Sequence, residues 1–129
     1  MKKYQTTLTG DDLGFFYAIL YQYEKEGGKQ NGYNFNKIPP SIKSSIKRIC
    51  NKKYIQFPLN DNEIIIKGKF ESKLFIKQIR NAFAHACIEV DSNENYIINK
   101  SLKQKCSISG KINREIFKKF VNAILNTRK

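Results

Sequence analysis

The stretch Ile79-Arg80-Asn81-Ala82-Phe83-Ala84-His85 places the only histidine of the chain five residues after one of its four arginines. Imidazole titrates near neutrality, so it can give or take a proton. Guanidinium stays protonated and offers a planar fork of donors that fits a phosphate. Asn81 follows the arginine directly and adds an amide to the pair. No carboxylate cluster suggests bound Mg²⁺. Cys50, Cys87 and Cys106 are widely spaced, and one histidine cannot complete a Cys/His zinc set. They are expected to be buried, reduced thiols, with neither metal nor cofactor.

The element that must carry the pair is a helix running from about Phe70 to Cys87. Each helical residue advances about 100°. With Arg80 at zero, Phe75, Ile76, Ile79, Ala82, Phe83, Ala86 and Cys87 fall in one arc, the core stripe. Lys77, Arg80, Asn81, Ala84 and His85 fall opposite, with Leu74 and Ile88 intruding on that side. Asn81 and His85 are one turn apart and can touch. Ala84 between them is small enough to let another helix or a substrate approach. Polar-face side chains are most often simply solvated, so the spacing presents the pair without saying to what.

Around this helix the chain reads as one domain of 129 residues. With 40% hydrophobic residues, nine Phe and seven Tyr, it is a folding sequence. No apolar segment suggests a signal peptide or membrane span, and a cytoplasmic location is expected. Thr9-Gly10-Asp11-Asp12 caps a first helix that ends at Gly27-Gly28 and is apolar nearly all round, which suits burial on several sides or a subunit interface. Pro39-Pro40 opens a helix over about 40–52, with Ile42, Ile46, Ile49 and Cys50 on one face and Lys43, Lys47, Arg48 and Lys52 on the other. Residues 54–68 fit either a short hairpin or an irregular crossing. After the motif helix, two β-like runs flank Asp91-Ser92-Asn93, and a third lies near Lys105–Ser109. Gly110 breaks that pattern, Asn113 can cap, and an amphipathic helix closes the chain.

Twenty-four Lys and Arg against eleven Asp and Glu give a formal charge of +13. Such a surface attracts polyanions, nucleic acid above all. Abundant Lys, Asn and Ile would also follow from A+T-rich coding, so the charge permits RNA or DNA binding without requiring it. Lys43, Lys47, Arg48 and Lys77 are the candidate RNA contacts.

Arg80-Asn81-x-x-x-His85, with a polar residue directly after the arginine and late in an amphipathic helix, resembles the R-x(4–6)-H signature of the HEPN superfamily. The motif helix, a short hairpin and a closing helix, over residues 70–126, are similar to a small bacterial HEPN branch of predicted nucleases. The pattern of elements reads as mostly helical with a small sheet between the third and last helices, and the resemblance implies the same mainly α fold. This would be a bundle of about four helices, with a small hairpin or three-strand insertion between motif helix and last helix. It implies metal-independent RNA cleavage, in which the ribose 2′-OH attacks phosphorus to leave a 2′,3′-cyclic phosphate and a 5′-OH. Arg80 and His85 would be catalytic, assisted by Asn81. One chain has one imidazole whereas acid and base roles are most simply filled by two groups. A composite site in a homodimer, as HEPN proteins use, would supply both. Phage-defence or toxin roles, with an antitoxin or defence-system partner, follow from the same resemblance. Two other readings stand beside it. One is a non-catalytic HEPN-type module binding nucleic acid or nucleotide. The other is a helix-turn-helix DNA-binding protein, disfavoured because about a dozen residues separate the first two helices.

Overall fold

The computed structural model describes residues 7–25, 33–50, 60–68, 70–99 and 107–127. Helix α1 (Gly10–Lys25) starts where the cap residues indicate. The Thr9 hydroxyl accepts from the Asp12 N–H (3.2 Å), and the Asp12 carboxylate accepts from the Thr9 N–H (3.0 Å). Two donors that a helix start leaves orphaned are thereby satisfied reciprocally. The double glycine expected at its far end lies outside the described residues.

The next segment departs from the sequence reading. After a 3₁₀ turn at Phe35–Lys37, the helix expected over 40–52 is only one turn long, α2 (Pro40–Lys43). Ser44 and Ser45 both donate their hydroxyls to the Ser41 carbonyl, at 3.1 Å each, and the chain turns. Lys47–Cys50 then forms strand β1, which pairs in parallel with β2 (Glu63–Ile66). The 3.6-residue spacing of the isoleucines was real. Pairing with the Ile-rich β2, in which Ile49 opposes Ile65, outweighs a weak local helix preference. The choice left open for 54–68 resolves, in its described part, as a central strand; Tyr54–Phe57 lies outside the described residues.

Beyond α3 (Ser72–Ala84), β3 (Ile88–Val90) and β4 (Asn95–Ile98) make the expected hairpin. One Asp91 carboxylate oxygen accepts from the N–H groups of Asn93 and Asn95, both at 2.9 Å, and Glu94 turns the corner at φ 62°. Strand β5 (Ile108–Asn113) continues through Gly110 rather than stopping there. A Cβ at Gly110 would sit 2.5 Å from the Glu63 carbonyl oxygen. Glycine marks a close approach of two backbones here, not a break. Asn113 does cap α4 (Arg114–Leu125), accepting from Glu115 N–H (3.0 Å) and Ile116 N–H (3.2 Å).

The architecture is therefore not the mostly helical bundle with a small insertion that the residue pattern and the resemblance both implied. It is a five-stranded mixed sheet, ordered β1-β2-β5-β4-β3, packed against helices. Ile64, Ile66, Tyr96, Ile98, Ile108 and Ile112 face a core shared with Phe16 and Ile19 of α1, Phe75, Ile76 and Ile79 of α3, and Phe117, Phe120 and Ile124 of α4. The strand register keeps these residues on one face: Ile64 opposes Gly110, Ile66 opposes Ile108, and Tyr96 opposes Ile112. Aromatic rings knit helix to sheet, with Phe16 edge-on to Tyr96 (5.1 Å), and helix to helix, with Phe75 edge-on to Phe120 (5.4 Å).

A buried polar cluster fixes the start of α1 to the rest. Asp12 is fully buried, and the Tyr96 hydroxyl donates to its Oδ1. Arg114 Nε lies 3.1 Å and Lys118 Nζ 3.6 Å from the same oxygen. Arg114 Nε is not aligned as a hydrogen-bond donor, so its contribution is charge. Burial pushes the Asp12 carboxyl up, but hydrogen bonds from Tyr96 and Thr9 and the Arg114 charge prevail and hold it below the ordinary 3.8. Burial and the same carboxylate push the Tyr96 phenol above 10.0. Among the described residues no helix is long and apolar enough to cross a membrane.

Candidate active site

Helix α3 carries the motif, and its core stripe is as the spacing indicates: Phe75, Ile76, Ile79 and Ala82 are buried. Phe83 stacks on Phe16 of α1 at 5.4 Å, so the two helices lie side by side where the motif residues emerge. Ala86, assigned by spacing to the core stripe, is instead exposed, because the helix has ended. His85 is the C-cap, and Ala86 takes a left-handed conformation at φ 56°. The Cys87 N–H donates to the Ala82 carbonyl (2.8 Å) and the Ala86 N–H to the Phe83 carbonyl (3.1 Å). This is a Schellman closure with alanine where glycine is usual. It swings the chain from helix into β3 directly after His85, so Ile88 enters the sheet and is buried.

Arg80 is one-third exposed and held from three sides. Its Nε donates to Glu24 Oε1 (3.0 Å), and Nη2 donates to the same oxygen. Nη1 donates to Asn81 Oδ1 (3.0 Å), and the guanidinium carbon lies 5.5 Å from the centre of the Tyr23 ring. Of five guanidinium protons three are so used, and the remaining two have no partner among the described residues. The Asn81 amide oxygen thus serves the arginine. Among the described residues no side-chain hydrogen bond joins Asn81 to His85, whose imidazole is exposed. The backbone does join them, His85 N–H donating to the Asn81 carbonyl at 3.0 Å. Cys87 is buried, with its Sγ 3.5 Å from the His85 carbonyl oxygen.

The other candidates separate into two groups. Lys77 is exposed one turn before Arg80, on the same helix. Lys47 and Arg48 are exposed on β1, with Arg48 5.3 Å from the Phe70 ring centre, near the opposite end of α3. Lys43 ends α2. β1 and β3 are opposite edges of the sheet, four strand spacings or about 19 Å apart, so Lys47 and Arg48 do not share a site with His85, which leads into β3. Neither of two clefts, of about 550 Å³ and 310 Å³, is lined by Arg80, Asn81 or His85. No group of three or more Cys, His, Asp or Glu among the described residues could hold a metal ion.

The sequence reading missed Tyr23 and Glu24. They lie 57 and 56 positions from Arg80, and only the packing of α1 on α3 unites them. It also did not single out Leu13, Tyr17 and Tyr21, exposed large hydrophobic residues at four-residue spacing along α1.

A family model described as HEPN pEK499 p136 matches the chain over residues 5–129. The chain belongs to this HEPN family. The match includes residues 5–69, which the motif resemblance did not reach. Comparisons with curated proteins and with solved structures find no match. This member of the family therefore packs its helices against a five-stranded sheet.

Proposed function

We propose that this HEPN protein is a metal-independent endoribonuclease, with Arg80, Asn81 and His85 as its working residues. The observation that carries the reading is the state of Arg80. It is oriented on three sides by Glu24, Tyr23 and Asn81, with two protons free, beside an exposed imidazole one and a half turns along the same helix. A guanidinium held rigid before substrate arrives stabilises phosphorane charge without reorganising. His85 transfers the proton.

A homodimer brings two copies of α3 together and supplies a second imidazole. The exposed stripe Leu13, Tyr17 and Tyr21 on the adjoining helix suits an isologous interface. Sedimentation at micromolar concentration is expected to give a dimer, and a strictly monomeric species would remove the shared-site mechanism. A role as toxin or in phage defence, with an antitoxin or defence-system partner, rests on family habit.

A second reading, a non-catalytic module that binds RNA or nucleotide, is favoured by one feature: no described side chain orients the His85 imidazole. Incubation of single-stranded RNA and matched DNA in EDTA separates the two. The enzyme cuts RNA, spares DNA, ignores EDTA, and falls to a small residual rate in both Arg80→Ala and His85→Ala. Tight binding without cleavage establishes the module instead.

A further inference from the structure

We infer that Glu24, at the C-terminal end of α1, is a positioning residue for Arg80, so the motif is completed by a carboxylate from a different helix. This rests on the ribonuclease reading above.

The guanidinium has two edges that can grip an oxyanion: the side edge formed by Nε and one Nη, and the far edge formed by the two Nη groups. Glu24 Oε1 takes both donors of the side edge. Asn81 takes one proton of Nη1, and the Tyr23 ring lies against the guanidinium. What remains is one proton on each Nη nitrogen. A phosphate can approach only through these, so Glu24 decides which edge of Arg80 meets substrate and in which plane. Without it the side edge becomes available, the side chain regains its rotamers, and the phosphate can bind in more than one geometry. Binding would persist while the productive fraction falls.

The pair is not placed to serve mainly as a stability device. The Glu24 side chain is 55% exposed and that of Arg80 30%, a setting in which an ion pair contributes little to folding. Two consecutive residues, Tyr23 and Glu24, both engage the same guanidinium, and the stacked rings of Phe16, two turns before Glu24, and Phe83, three residues after Arg80, keep α1 and α3 in register for it. Glu24 acts through Arg80 and is not itself asked to touch RNA or move a proton.

The test is a double-mutant cycle in RNA cleavage, with Glu24→Gln, Glu24→Asp, Arg80→Ala and the Glu24→Gln/Arg80→Ala pair. In the native background Glu24→Gln is expected to lower kcat on the order of tenfold with little change in KM, as a slight misplacement of a catalytic group does. Glu24→Asp, which keeps the charge on a shorter stem, should restore part of the loss. In the Arg80→Ala background Glu24→Gln should change nothing. A second readout needs no turnover: the Arg80 Nε–H resonance, sharp in the native protein, should broaden or exchange rapidly in Glu24→Gln at an unchanged melting temperature. Losses that multiply in the double variant would overturn the inference by showing that Glu24 acts on substrate directly. Faster cleavage in Glu24→Gln would overturn it by showing that the carboxylate blocks Arg80. Native rates in Glu24→Gln would overturn it while leaving the ribonuclease reading intact. A wild-type chain that does not cut RNA ends both.

Discussion

Asp12→Ala tests the buried cluster that holds α1, and through it Glu24, in place. The carboxylate is fully buried and accepts from Tyr96 and Thr9 while facing Arg114 and Lys118. Removing one partner of a buried charged pair costs about 3–5 kcal/mol. The Arg114 and Lys118 side chains retain 18% and 22% exposure, so water relieves part of their loss, and the lower figure, ~3 kcal/mol, applies. Unfolding entropy for a chain of 129 residues is about 0.27 kcal/mol/K, so the melting temperature should drop by ~11 °C. Tyr96→Phe removes one donor but leaves Thr9 and Arg114 on the carboxylate, at ~1.5 kcal/mol or ~5 °C. The two losses must not add. Once Asp12 is alanine the Tyr96 hydroxyl is an orphan, so Tyr96→Phe in that background should be neutral or stabilising. Circular dichroism melts of the four proteins decide it. A drop under ~3 °C for Asp12→Ala, or strict additivity, refutes the argument that this cluster anchors the helix.

Three other expectations are independent of catalysis. Because Asp12 is held below 3.8 in the folded state, its charged form contributes stability above about pH 4, and this is lost as pH falls through the lower folded value. The gap in melting temperature between wild type and Asp12→Asn should therefore be constant from pH 7 to 5 and shrink toward pH 2; a gap that widens with acid contradicts the sign. Gly110→Ala drives a Cβ into the Glu63 carbonyl and should cost ~2–3 kcal/mol in urea unfolding as β2 and β5 part; a change below ~0.5 kcal/mol would mean the strands separate freely. Ala86→Gly relieves the left-handed alanine closing α3 and should stabilise by ~0.5–1 kcal/mol, the strain removed exceeding the entropy glycine adds to the unfolded chain; a lower urea midpoint would show that the cap is not strained.

Residues near one another in sequence announced themselves. Thr9 and Asp12 mark the α1 start, Asn113 marks the α4 start, Asp91-Ser92-Asn93 marks the hairpin, and the stripe from Phe75 to Phe83 marks the buried side of α3. Each is a contact between residues a few positions apart, so its hydrogen bonds or periodicity are written locally. The motif Arg80-Asn81-x-x-x-His85 belongs to the same class, which is why the HEPN family was legible from it.

What tertiary structure decided are the pairings over long separations. Lys47–Cys50 carries a helix-like spacing yet becomes a strand, because its partner is β2, sixteen residues on in register. Gly110 reads as a break until Glu63 is seen against it. Glu24 is one more charged residue at a helix end until α1 lies on α3 and its carboxylate meets Arg80. Local sequence specifies a residue's own dihedral preferences and its neighbours within a turn or two; which distant backbone or charge it meets depends on how the buried faces of sheet and helices pack together, and no short window contains that information.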